Sequence, residues 1–156
     1  MTNEELKQHI TAALPAAVFD ETGEWLNVQV EANAWKPFAQ WLRNGQLNMD
    51  YLFCLTCIDW SATPTGKNLL TMVYHFTSTS ARHTIVVKVK LDRSKPEIET
   101  VSDIWRTAEF HEREVFELFG VQFLHHPDLR RLILTDDFEG YPLRKDFEDP
   151  VNMIKL

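Results

Sequence analysis

The chain has 156 residues, 44% of them hydrophobic, a formal net charge of −7 and a pI near 5.3. That length suits one domain with an ordinary core, and the hydrophobic share excludes a disordered chain. The acidity makes the chain a poor candidate for binding nucleic acid, which needs a basic face, and no stretch approaches the roughly 20 apolar residues of a membrane span.

The start, M-T-N-E-E-L-K, is acidic and helix-like, so neither a signal peptide nor an Arg-rich transit peptide is expected there. Thr2 or Asn3 can cap a first helix through Leu14, with Leu6, Ile10 and Leu14 at helical spacing and Pro15 after it. Residues 16–21 read as a short strand, Thr22-Gly23 as a turn, and Leu26, Val28, Val30 and Ala32 alternate as in a half-buried strand. Asn33 is expected to cap a second helix, with Trp35, Phe38, Ala39 and Leu42 on one face and Gly45 as a left-handed stop. Residues 52–60 are apolar, a buried strand or a continuing helix. Residues 68–77 and 82–91 are rich in Val, Ile, Thr and Tyr and predict a hairpin through Thr77–Ala81. Arg93–Glu97 reads as a loop. A third helix is expected from Thr100 or Ser102 to Phe119, stopped by Gly120. The remainder, broken by Pro127, Gly140, Pro142 and Pro150, has no regular period. The fold class is α+β: one domain, residues 1–123, with helices packed on a mixed sheet, and an extended C-terminal arm, residues 124–156.

The run from Glu109 to Phe147 crowds charge among large apolar groups, which costs free energy unless each charge finds a partner. On the third helix, Glu112 falls within the apolar stripe of Ile104, Trp105, Ala108, Val115, Phe116 and Phe119. Arg113 is placed outward, paired with Glu109 at i, i+4, and Glu114 points away. Glu112 is read first as a structural anion paired with Arg130, Arg131 or Arg144 from the tail, second as a partner contact, and last as a catalytic carboxylate. H-E-R-E starts like the zinc motif H-E-x-x-H, but position 115 is Val, so no metalloprotease site is expected. No nucleophile, Gly-rich phosphate loop or base–orienter pair is recognisable. His126 and Asp128 read as caps of a turn fixed by Pro127. The only cysteines, Cys54 and Cys57, lack the further ligands of a zinc or cluster site and read as small buried hydrophobes.

The block Glu112-Arg113-Glu114-x-x-Glu117-Leu118-Phe119-Gly120, then His126-Pro127-Asp128-Leu129-Arg130-Arg131 and Tyr141-Pro142-Leu143-Arg144-Lys145-Asp146, resembles the C-type or 30-kDa subunit of respiratory complex I, the proton-pumping NADH:quinone oxidoreductase. The weaker pattern of Asp59, Val73-Tyr74-His75, Trp105 and Ala108 also fits, so the resemblance runs over residues 35–147. It implies a non-catalytic structural subunit without flavin, cluster or metal. It further implies a place in the peripheral arm, on the cytoplasmic side of the bacterial inner membrane, packed on the D-type (49-kDa) subunit and its neighbours near the quinone-reducing end. The C-terminal segment would run along that partner, with Glu112, Arg113, Glu114, His126, Asp128, Arg130, Arg131, Arg144, Lys145 and Asp146 as the structural and partner-contact residues. The C-x-x-C pair departs from the family. Two alternatives stay open: the same subunit type in a membrane-bound hydrogenase or a ferredoxin- or F420-linked complex, and an independent thiol-redox or hydrolytic enzyme using Cys54/Cys57 or Glu112.

Overall fold

The computed structural model describes residues 1–151, so the arm's last residues, 152–156, lie outside it. The first helix, α1 (Asn3–Ala13), opens with a capping box: the Thr2 side chain accepts from the Glu5 N–H while Glu5 accepts from the Thr2 N–H. Strands β1 (Val18–Asp20) and β2 (Leu26–Val30) form a short antiparallel pair. A 3₁₀ turn over Ala32–Ala34 then leads into α2 (Trp35–Asn44). The expected Asn33 cap is therefore absorbed into that turn. Gly45 does follow α2, but with φ −84° it is not left-handed; it is required because a Cβ there would lie 2.6 Å from the Trp41 carbonyl oxygen.

Residues 51–59 form strand β3 (Tyr51–Asp59), which closes the helix alternative. Strands β4 (Leu69–Ser78) and β5 (His83–Asp92) form the predicted hairpin. The sheet order is β1-β2-β5-β4-β3, with β2 parallel to β5 and the other neighbours antiparallel. This is the expected α+β class with a mixed sheet. Leu6 and Ile10 of α1 and Trp35, Phe38, Ala39 and Leu42 of α2 are buried with the inward row of each strand, including Val28, Met72, Tyr74 and Val87. Trp35 packs on Tyr74 with ring centroids 4.2 Å apart, and Phe76 on Trp105 at 4.6 Å. Each such ring removes enough apolar area from water to contribute roughly 2–3 kcal/mol.

Two elements differ from expectation. The segment after Arg93 holds a short strand, β6 (Glu97–Glu99), which pairs in parallel with β7 (Gln122–Leu124). The third helix, α3 (Ala108–Phe119), starts later than Thr100 or Ser102. The stretch before it closes only separate turns, with the Trp105 N–H on the Val101 carbonyl and the Ala108 N–H on the Trp105 carbonyl, while the Val101 N–H goes to the Glu112 carboxylate. Gly120 ends α3 in the left-handed conformation at φ +76°, and a Cβ there would sit 2.6 Å from the Tyr141 ring.

Candidate functional site

Three charged side chains of α3 are buried: Glu112, Arg113 and Glu117. They serve two different sides of the helix. Glu112 is fully buried and faces the core. It accepts from the Thr100 hydroxyl and, at 2.8 Å, from the Val101 N–H. No arginine reaches it among the described residues, which corrects the expected tail–arginine pair; the nearest tail group is His126 Nε2 at 3.8 Å. Burial pushes the Glu112 carboxyl up to about 7, against the two hydrogen bonds that favour its charge.

Arg113 is also buried, which corrects its outward placement and its pairing with Glu109. Its guanidinium donates to the Arg130 carbonyl at 2.9 Å and the Arg131 carbonyl at 3.1 Å, with the Asp128 carboxylate at 3.8 Å and the Phe110 ring 5.7 Å from Cζ. One turn further, Glu117 accepts successive N–H groups of Leu132 (3.1 Å), Ile133 (3.0 Å) and Leu134 (3.0 Å). Arg113 thus holds carbonyls and Glu117 holds amides of one irregular strand of tail. The tail is a strap on α3. An irregular segment cannot satisfy its main chain internally, so buried charges of the helix do it. Glu117 was overlooked in the sequence as a site residue. The signal was present, because it stands at i, i+4 from Arg113 and the unpatterned tail needs acceptors.

The remaining predicted site residues fall around this strap. Glu114 is exposed and points away, as read from the helix wheel. Arg130 turns to Asp128 at 2.9 Å and Arg131 to the Thr135 carbonyl at 2.5 Å; both are solvent-side pairs, so these residues serve α3 through their carbonyls and not their charges. The Arg130 guanidinium beside Asp128 holds that carboxyl below its usual range. The buried His126 ring accepts the Asp128 N–H at Nδ1 (3.0 Å), so Nε2 carries the proton and donates to the Glu109 carbonyl at 3.1 Å. His126 therefore caps the turn at Pro127, while Asp128 pairs with arginines instead of capping. His125 turns away, to Glu99 at 2.8 Å.

Arg144 donates to the Phe119 carbonyl at 2.7 Å, at the negative end of α3, and its guanidinium lies 4.8 Å from the centre of the Tyr141 ring that covers Gly120. Lys145 contributes its main-chain N–H to Asp59 at 2.9 Å. Arg93 binds the same buried carboxylate through two bonds of 3.1 Å and reaches Asp146 at 2.5 Å. Burial pushes the Asp59 carboxyl up, but the Arg93 guanidinium and the N–H groups of Lys145 and Ser61 outweigh it and hold it well below the carboxylate range. The strap is thus fastened at three places: along α3, at its C-terminal end and at the end of β3.

Fastening the main chain inward leaves apolar side chains outside. Ile133 is 70% exposed and Leu143 50%, with Leu132 and Tyr141 also exposed. Cys54 and Cys57 are free thiols three positions apart on β3, hence on opposite faces. Burial raises both, Cys57 to about 12, so neither is a ready thiolate. Among the described residues no three His, Cys, Asp or Glu side chains are placed to share a metal, and no helix is long and apolar enough to cross a membrane.

A mixed-sheet α+β domain with a strap pinned to its last helix defines the class. A family signature described as "Respiratory-chain NADH dehydrogenase, 30 Kd subunit" matches residues 28–151, and the chain belongs to that family. It is 47% identical over 116 residues to the fused C/D subunit of the NADH-quinone oxidoreductase of Phocaeicola vulgatus, covering 74% of this chain and 21% of that one. It is 39% identical over 118 residues to the C-type subunit of the NADH-quinone oxidoreductase of Chloroherpeton thalassium, covering 74% of this chain and 47% of that one. The chain therefore spans about a fifth to a half of the length of these relatives. A chain from the membrane-bound sulfane sulfur reductase, an archaeal respiratory membrane complex, superposes with TM-score 0.78 at 29% identity, over 93% of this chain and 85% of that one.

Proposed function

We propose that this chain is a non-catalytic subunit of the peripheral arm of a proton-translocating NADH:quinone oxidoreductase, docking on its D-type subunit near the quinone-reducing site. The observation that carries the reading is the strap. Its main chain is bound inward by Arg113, Glu117 and Asp59, while Leu132, Ile133 and Leu143 face outward. An apolar set held rigid on the surface is matched to a partner, because its conformational entropy is spent before binding. In this reading residues 1–123 are the domain and residues 124–156 the arm, with its described part docked on the domain before it meets the D-type chain. The C/D relative, one chain carrying both subunit names, supports that pairing. The complex would hold the chain at the cytoplasmic side of a bacterial inner membrane, with no membrane contact of its own, no cofactor and no nucleic acid.

A second reading keeps the docking and changes the electron donor or acceptor: the equivalent subunit of a related complex, hydrogenase-like or ferredoxin- or F420-linked. The superposable chain of the sulfane sulfur reductase complex favours keeping it. Purification through a tag on this chain tests both. Wild type should bring down a D-type chain and NADH:quinone activity; Ile133→Asp should release the D-type chain without lowering the domain's Tm. Recovery of the D-type chain without NADH oxidation selects the second reading. Undiminished recovery with Ile133→Asp overturns docking through the strap.

A further inference from the structure

The helices cover one face of the five-stranded sheet, and on the other the register places Val18, Gln29, Lys88, Val73 and Thr56 in one row and Lys90 beside Thr71 in the next. A cleft of about 270 Å³ opens there between β1 and the loop after β3. Trp60, Val18 and Leu69 line it with apolar surface, and Lys88 and Lys90 stand among them. The Trp60 ring is held by its Nε1 donating to the Thr71 hydroxyl at 3.0 Å.

Lysines two positions apart on a strand share a face and lie about 7 Å apart, the spacing of alternate residues of an extended chain. In a chain of net charge −7, neither is in an ion pair among the described residues. Asp20, also in the cleft, is engaged by the Thr22 N–H and hydroxyl. Strand β1 is an edge of only three residues, with Val18 exposed, so its outer main-chain groups are open to an added strand.

We propose that this cleft receives an extended acidic segment of a neighbouring chain of the assembly. Carboxylates at alternate positions of that segment meet Lys88 and Lys90, and an apolar side chain on the same face of the segment lies against Trp60 and Val18. The surface lies on the face of the sheet away from the helices, so this subunit bridges two neighbours. The inference rests on the proposed place of the chain in a larger complex.

Zero-length carbodiimide crosslinking of the complex purified through this chain tests it. Lys88 or Lys90 should join an Asp or Glu of a chain other than the D-type one. Lys88→Glu/Lys90→Glu should cut retention of that chain by about tenfold, the worth of one well-placed charge contact, and Lys88→Gln/Lys90→Gln by less. Ile133→Asp should leave the crosslink intact. Crosslinks only within the chain or to a second copy of it, or unchanged retention in both lysine variants, overturn the proposal while leaving docking on the D-type chain standing. Failure of the wild type to recover any complex overturns both.

Discussion

Glu112 and Glu117 are buried on the same helix, and they are held in opposite ways. Glu112 faces the apolar core and has two donors, one hydroxyl and one N–H. Glu117 faces the strap and has three successive N–H groups. The first is a carboxyl whose protonation burial favours; the second organises a segment that has no secondary structure of its own. Burial alone does not say what a buried acid is for. The number and rigidity of its donors do.

The largest way to break this contrast is to remove the strap. Truncation after Phe123 takes the partners of Arg113, Glu117 and Asp59 together. At roughly 1–3 kcal/mol for each anchor lost, the domain should lose about 5 kcal/mol. Chemical denaturation of the truncated and full chains measures it, and equal midpoints would mean that the strap contributes nothing to its own domain. Next, Glu117→Ala leaves three strap amides without their acceptor and should cost about 3 kcal/mol, with proteolytic cutting moving into residues 130–147. Glu117→Gln should recover only part, because an amide oxygen is a weaker acceptor than a carboxylate.

Glu112 sharpens the contrast through pH. Its carboxyl stands at about 7 in the fold against 4.5 for an ordinary glutamate, so the fold prefers its protonated form. Its contribution to stability is therefore fully present below pH 4.5 and is lost as the pH rises through about 7, a change of roughly 3 kcal/mol. Asp59, held below its ordinary 3.8, acts in the opposite sense: its contribution is present above that value and lost as the pH falls. Glu112→Gln should flatten the decline of unfolding free energy between about pH 5 and pH 8. A variant with the wild-type slope would show that the proton is bound elsewhere. Glu112→Ala, by contrast, strands the Val101 N–H, not an arginine, while the Thr100 hydroxyl keeps Ser102.

The sequence was readable where order is local. Alternating β-branched residues marked β4 and β5, and the E-R-E block with its Gly120 stop marked the end of α3. The start of α3 is hidden because the residues before it close separate turns, and the Thr100 N–H goes to Leu124, a partner far along the chain. The pair β6 and β7 was hidden for the same reason: two three-residue strands made parallel neighbours by the helix between them. The helix wheel turns Arg113 outward because it shows one apolar stripe, and a second covered face exists only once the strap has folded back. For Arg130 and Arg131, side-chain chemistry drew attention away from the carbonyls that α3 uses.

The smallest effect belongs to the outer end of the strap. Asp146 reaches Arg93 at 2.5 Å, but it is largely solvent-exposed, whereas the Asp59 side chain behind Arg93 is fully enclosed. Exposed pairs contribute little because water screens them and two side chains must be ordered. Asp146→Ala should therefore cost less than about 1 kcal/mol, since Arg93 keeps its two bonds to Asp59. The loss should shrink further in high salt, where exposed charges are screened and the enclosed Arg93–Asp59 bonds are not. Denaturation at low and high salt measures both. A loss as large as that of Glu117→Ala would mean that Asp146, and not the strap's main chain, fastens this end, and that the division between inner and outer anchors is wrong.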